Sequence, residues 1–147
     1  MSDKRELILS RLHDVLKTIV PEGRCFRNQV DFPEGSPTIL LLDADESPDS
    51  NRAPTSGRPP TGACVVALTP EIHILVDGKP KDVGPRLNAL RRDIIKAVLT
   101  DNSLAEFCMS GELRYEGFAS GFAAGRSFEG QGVVSFSFVY ALHPARL

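Results

Sequence analysis

The chain has 147 residues, of which 41% are hydrophobic and 24% are charged, and its formal net charge is −2. This length and composition are typical of one globular domain with a single core, so residues 1–147 are predicted to form one domain. The small negative charge excludes the basic excess that stable binding to nucleic acid or anionic lipid requires, and other proteins are the expected partners.

The N-terminal residues mix charged and apolar side chains and lack the continuous apolar stretch of a secretory signal. No apolar run reaches membrane-spanning length. The three cysteines, Cys25, Cys64 and Cys108, are widely spaced and lack the close pairing of a zinc site or a redox motif. We therefore expect a soluble intracellular protein whose thiols are free and mostly buried.

An amphipathic helix is predicted over residues 3–19, because apolar side chains recur there at helical spacing. Its apolar stripe comprises Ile8, Leu12, Val15 and Ile19. A short extended segment at 24–28 and a turn-rich stretch then lead to the apolar run at 38–43. That run is predicted to be a central strand covered on both faces.

Residues 46–62 are rich in Pro, Ser, Asp and Gly, and this composition predicts a long flexible loop. The next segment, 63–76, has apolar side chains of one parity interrupted by Pro70, which predicts either a bulge or two strands meeting at a bend. A second helix follows, with Pro85 in its first turn and a short helical piece at 103–107 after it. Its apolar stripe comprises Val83, Leu87, Leu90, Ile94 and Val98.

The C-terminal third predicts two strands, at 112–119 and 133–143, joined by a glycine-rich connection at 121–132. The last strand has the clearest alternation in the chain, with Phe and Tyr on one parity. The elements together predict an α+β fold. It consists of a mainly antiparallel β-sheet with two main helices packed on one face, in the order αβββαββ.

If both helices cover the Phe-rich face, the opposite face of the sheet is more apolar than solvent exposure explains. Its apolar side chains are Val65, Ala67, Leu75, Val133, Val139 and Ala141. One explanation is that a partner covers this face. The alternative is that β-branched residues simply suit strands and lie scattered on the surface.

The strongest indication of an enzyme is the apolar strand that ends in Asp43 and Asp45. This pattern resembles the first motif of haloacid-dehalogenase-type phosphotransferases, in which the first Asp is the nucleophile, the second is the acid/base, and both lie near Mg²⁺. Glu46 and Ser47 follow here instead of the family's usual residue, and no later strand ends in paired acids. We therefore favour a solvated turn and predict no catalytic residue, metal site or cofactor.

A thiol hydrolase could in principle pair Cys64 with His73 or His143. Three cysteines and three histidines make accidental pairs easy to find, so we favour structural roles for them.

Two groups of segments carry a family resemblance. The first comprises the N-terminal helix, 26–28 (FRN) and 32–43 (FPEGSPTILLLD). The second comprises 114–117 (RYEG), 125–130 (GRSFEG) and 136–138 (FSF). Together they resemble the tail terminator, or tail completion, proteins of long-tailed bacteriophages and prophages, and the likeness covers most of the chain.

The resemblance implies a sheet flanked by helices and a hexameric ring that caps the tail tube, stops its polymerisation and presents a surface for joining the head. The implied partners are further copies of the chain, the tail tube protein and a head–tail connector or neck protein. Genome DNA would pass through the ring without specific binding. The expected location is the tail or neck of the virion, after assembly in the bacterial cytoplasm. The alternatives are a connector or neck subunit and, from another class, the small phosphotransferase.

Contacts between subunits are predicted at Arg126 and Glu129 in the glycine-rich connection, and at Val133, Val139 and Ala141 on the apolar sheet face. Identical contacts repeated around an axis close into a ring when the rotation permits. The alternative for Arg126 and Glu129 is that they are solvated loop charges.

Overall fold

The computed structural model describes residues 3–49, 64–124 and 128–144. The elements in chain order are α1 (Lys4–Lys17), β1 (Cys25–Arg27), β2 (Thr38–Pro48), β3 (Cys64–Gly78), α2 (Pro80–Leu99), α3 (Asn102–Phe107), a 3₁₀ turn (Met109–Gly111), β4 (Leu113–Ala124) and β5 (Phe128–Leu142). The predicted α+β class is confirmed.

Both long helices form where the apolar spacing predicts them. The side chain of Asp3 accepts a hydrogen bond from the backbone N–H of Arg5 at 3.1 Å and caps α1, which ends at Lys17, two residues earlier than predicted. The buried side chains of α1 are Ile8, Leu9, Leu12, Val15 and Leu16. The stripe predicted for α2 is buried in full, and the short helical piece is α3.

The sheet has five strands in the order β1-β2-β3-β5-β4. All neighbouring strands are antiparallel except β1 and β2, which are parallel. The helices pack on one face, where they form the core with the inward side chains of β2, β3 and β5, including Phe136, Phe138 and Tyr140. We call the opposite face of the sheet the outer face.

Pro70 lies inside a single continuous strand, β3, so the chain does not divide into two strands there. The irregularity is in the neighbouring strand, where the β2–β3 register shifts between Leu42 and Asp45, and Ala44 has a positive φ of 54°. Because Pro70 lacks an N–H, a bulge in the facing strand is the expected accommodation.

Strand β2 continues to Pro48, so the prediction of a loop beginning at residue 46 is wrong for residues 46–48. Glu46, Ser47 and Pro48 pair with Leu68, Ala67 and Val66 of β3. Pairing with a strong neighbouring strand gives this polar stretch its extended conformation despite its low β-propensity. The remainder of the predicted loop, from residue 50, lies outside the described residues.

The glycine-rich connection predicted at 121–132 is also wrong, because β4 extends to Ala124 and β5 begins at Phe128. Within it, Gly121, Gly130 and Gly132 occupy paired strand positions. Gly117, with φ of 138°, lies at the bulge of β4, where the register shifts between Tyr115 and Gly117.

Candidate subunit interface on the outer sheet face

The residues predicted to form the subunit interface differ widely in exposure. Glu129, Val133 and Ala141 are partly exposed on β5, whereas Arg126 lies outside the described residues. Val139 is fully buried, with 0% exposure. It lies opposite Ala67, which is 9% exposed. The prediction that Val139 offers contact surface is therefore wrong for the folded subunit.

Part of the cover over the outer face comes from the chain itself. The segment 28–37, between β1 and β2, crosses this face, and Phe32 lines a cleft together with His73 and Val133. Leu75, 7% exposed, lies beneath the same segment. Part of the cover that the sequence analysis considered assigning to a partner is therefore supplied by the chain's own segment 28–37.

The covering segment is held in place by Arg24. Its guanidinium donates to the carbonyl oxygens of Glu34 at 2.8 Å and Pro37 at 3.4 Å, and to the hydroxyl of Thr38. Ser36 fixes the other side, donating to Oδ1 of Asp77 at 2.7 Å and accepting from the N–H of Asp77 at 3.2 Å. These bonds give the segment a defined position on β3.

One end of the outer face forms a cleft of about 610 Å³ that we call the acidic cleft. Its wall carries four carboxylates, from Asp31, Glu34, Asp77 and Glu129. Like charges gathered on one surface favour a partner that brings positive charge. Glu129, predicted from sequence as a contact residue, therefore belongs to a larger acidic surface.

A second cleft of about 550 Å³, the central cleft, lies at the other end of the outer face between the far halves of β2 and β4. Among the described residues on its wall, Asp45, Asp49, Glu71 and Glu116 contribute carboxylates and Arg114 contributes a positive charge. The Arg114 guanidinium donates to Glu112 at 2.7 Å and lies 3.8 Å from the Asp49 carboxylate, whose side chain is 2% exposed.

The two carboxylates of the phosphotransferase alternative do not share a site. Both oxygens of Asp43 accept hydrogen bonds from Arg27 at 2.9 Å, whereas Asp45 is exposed in the central cleft. The two terminal nitrogens of the Arg27 guanidinium also donate hydrogen bonds of 2.9 Å to the two carboxylate oxygens of Glu6. Within the described ranges no group of three or more His, Cys, Asp and Glu side chains has the arrangement of a metal site.

These bonds shift the ionisation of all three groups. The hydrogen bonds from Arg27 lower the pKa of Asp43, and those from Arg27 and Ser10 lower the pKa of Glu6 to about 2. The same two carboxylates raise the pKa of Arg27. We call Glu6, Arg27 and Asp43 the Arg27 clamp, because it links α1, β1 and β2.

Of the two cysteine–histidine pairs, the fold separates Cys64 from His73, whereas His143 directly follows Leu142, the β5 residue that pairs with Cys64. Cys64 and His73 lie on the same extended strand, about 30 Å apart at the usual rise per residue. His73 contacts Glu71 at 3.1 Å. Cys64 is exposed, which corrects the expectation of mostly buried thiols, whereas burial raises the pKa of Cys25 and of Cys108 to about 11.

Sequence reasoning missed an aromatic row along β4, the outermost strand of the sheet. Tyr115 is 37% exposed and Phe122 is 54% exposed, and Phe118 lies between them. The Arg91 guanidinium stacks 5.8 Å from the ring centroid of Tyr115 and 5.6 Å from that of Phe118. The bulge at Gly117 interrupts the alternation that would have revealed this row.

No family model matches the chain, and no curated protein matches it. Among the helices within residues 3–49, 64–124 and 128–144, none combines the length and apolarity needed to cross a membrane.

Proposed function

We propose that the chain is a structural protein of a phage virion, a tail terminator whose copies form a ring on the tail tube, end its polymerisation and provide the surface for joining the head. Its partners would be further copies of itself, the tail tube protein and a neck protein. The proposal rests on the sequence resemblance together with one spatial observation.

That observation is that segments carrying the resemblance, although distant in sequence, meet on the outer face. Phe32 and Glu34 share the acidic cleft with Glu129. Arg114 lines the central cleft. The same segments also supply core residues on the helix side, so it is their polar and partly exposed members on the outer face that support a role in assembly.

The partly exposed side chains of Glu129, Val133 and Ala141 are the contacts we assign to the ring. Each combines with a different patch on the next copy, since only a head-to-tail contact generates a cyclic ring whose two faces differ. Different faces are what a terminator needs, because one binds the tube and the other binds the neck. The acidic cleft adds electrostatic selectivity for a basic patch on the neighbour.

The decisive test removes the gene from the phage that encodes it and examines the particles by electron microscopy. A terminator's loss should leave overlong or headless tails while filled heads accumulate separately. Normal tail length together with normal head joining would refute the assignment.

A point variant connects this test to the outer face. Glu129→Lys should abolish complementation because it reverses a charge of the acidic cleft, whereas Glu106→Lys, an equal charge change at an exposed position of α3, should complement normally. Thermal melts of both variants establish that they fold. Full complementation by Glu129→Lys would remove the acidic cleft from the proposal.

A further inference from the structure

Strand β4 ends the sheet with a long edge that carries no charge over most of its length. It spans Leu113–Ala124, and among the strands in the described ranges β5 is its one neighbour. From Gly117 onward its sequence is GFASGFAA, without a charged residue or a proline. Natural edge strands usually carry Lys, Pro, β-bulges or inward-pointing charges that prevent pairing with another chain. Beyond the bulge at Gly117, β4 lacks all of these, which favours strand addition there.

The other edge of the sheet offers little regular backbone for pairing, because its outermost strand, β1, has three residues. β1 covers β2 only as far as Leu41. Beyond that point the N–H of Asp43 donates to the side-chain oxygen of Asn28 at 2.9 Å. The carbonyl oxygen of Ala44 accepts from Arg5 at 2.9 Å. The bulge at these two residues further breaks the ladder geometry, so this edge is not a template for a new strand.

We propose that two copies of the free protein associate through β4, edge to edge and antiparallel, about a two-fold axis at Ser120. A second copy is the occupant that the sequence of β4 fits. With Ser120 opposite Ser120 of the second copy, Phe118 lies opposite Phe122 of the second copy, and the symmetry repeats this aromatic pair. Ser120, which lies on the same face between the two phenylalanines, has a small side chain that leaves room for the rings.

This register also pairs the free backbone N–H and C=O groups of the two edges and places the helix layers of both copies on one side of the joined sheet. Residues of equal parity oppose each other, so the N–H and C=O groups that point away from β5 in one copy meet those of the second copy. Both helix layers then lie on the same side of one ten-stranded sheet, five strands from each subunit. The Phe118 ring lies over Gly132 and the Phe122 ring contacts the position of Gly130, so both rings lie against the sheet beside its free edge. Directly opposed aromatic pairs stabilise antiparallel strands.

The edge contact does not rest on the proposed ring. A two-fold contact uses the same patch on both copies and joins two subunits, whereas a ring needs two different patches. The association should therefore be found in the purified protein without any tail tube or neck component.

The test measures mass in solution by light scattering coupled to size exclusion, with a melt to verify folding. The wild type should have twice the subunit mass of 16.0 kDa. Ser120→Lys places two ammonium groups opposite each other at the axis and should raise the dissociation constant at least about tenfold. Asn88→Lys, the same charge change at an exposed position of α2, should leave the dimer intact.

A second variant keeps the proposal testable if Ser120→Lys fails to fold. Under mild oxidation, Ser120→Cys should form a disulfide between the two copies at residue 120, because directly opposed Cβ atoms lie at about 4.5–5.5 Å, close to disulfide geometry. Peptide mapping distinguishes this bond from bonds of the exposed Cys64. A monomeric wild type, or an oligomer that Ser120→Lys leaves unchanged, would overturn the edge contact. The second outcome leaves the ring proposal standing.

Discussion

At the scale of single residues, the neighbours of a glycine in the β4–β5 hairpin show why that position cannot carry a side chain. A Cβ atom built on Gly130 would lie 2.6 Å from Cγ1 of Val83, which is fully buried at the start of α2. The absence of a side chain therefore sets how closely α2 approaches β5. Glycine is selected here by packing distance and not by backbone conformation.

We expect Gly130→Ala to lower the free energy of unfolding by about 1–3 kcal/mol, because the methyl group overpacks a rigid contact between helix and strand. Gly121→Ala is the matched control on the same hairpin, since no described residue lies within 4 Å of the added Cβ atom, and it should be neutral within about 0.5 kcal/mol. Chemical denaturation of both variants measures the difference. Equal stability of the two would contradict the packing explanation.

A second residue-scale expectation concerns Tyr140. Its side chain is fully buried, and its hydroxyl has no hydrogen-bond partner within the described residues. A buried hydroxyl without a partner costs about 1–3 kcal/mol of desolvation, so Tyr140→Phe should leave the free energy of unfolding unchanged or raise it by about 1 kcal/mol.

The comparison for Tyr140 is Tyr115→Phe. This variant loses the 3.3 Å bond that Arg91 donates to an exposed hydroxyl, and it should destabilise slightly. If Tyr140→Phe were instead the more damaging of the two, a hydrogen-bonded water at the Tyr140 hydroxyl would be required.

At the scale of elements, the Arg27 clamp fastens the short strand β1 to its surroundings. β1 has three residues and pairs with β2 alone, so its ladder contributes little. The side chains of Arg27 and Asp43 are 22% and 24% exposed, which shields their bonds from solvent more than an ordinary surface ion pair is shielded. The clamp therefore adds attachment that the backbone of β1 lacks.

The clamp should make stability depend on acid pH. The pKa of Glu6 falls from 4.5 to about 2 on folding, so its contribution is fully present above pH 4.5 and is lost as the pH falls towards 2. The lowered pKa of Asp43 acts in the same direction. Because the Glu6 side chain is 58% exposed, we expect Glu6→Gln to cost no more than about 1 kcal/mol at pH 7.

Urea unfolding of Glu6→Gln and the wild type at a series of pH values tests this expectation. The two stability curves should converge as the pH falls below 4.5, and Glu106→Gln, at an exposed position of α3, should follow the wild type throughout. A stability difference that stays constant down to pH 2 would show that Glu6 acts through packing and not through its charge.

At the scale of the whole molecule, the layer architecture could be predicted from periodicity, because the stripes of α1 and α2 and the alternation of β5 are long and regular. The extent of the β4–β5 hairpin could not, since glycine contributes no side chain to an alternating pattern. The burial of Val139 could not be predicted from the sequence either. Val139 lies opposite Ala67 of β3, and such pairing between distant segments leaves no periodic signal.

The candidate site was predictable only in part, for the same reason. Glu129 and Val133 could be placed on one strand, but the acidic cleft requires Asp31 and Glu34 to meet Asp77, a contact fixed by Arg24 and Ser36 across the sheet. The parallel pairing of β1 with β2 was likewise unexpected, since three residues carry too little pattern to give a direction.

The unequal edges of the sheet also determine how far association through backbone pairing can proceed. In the language of polymer chemistry, the described part of the subunit is monofunctional, because β4 is reactive and the bulged, capped end of β2 is not. Monofunctional units couple once and then stop, whatever their concentration. The uncharged part of β4, from Gly117 onward, would otherwise favour fibril growth and is thereby limited to a single coupling, so the molecule can keep this stretch without the risk of continued growth.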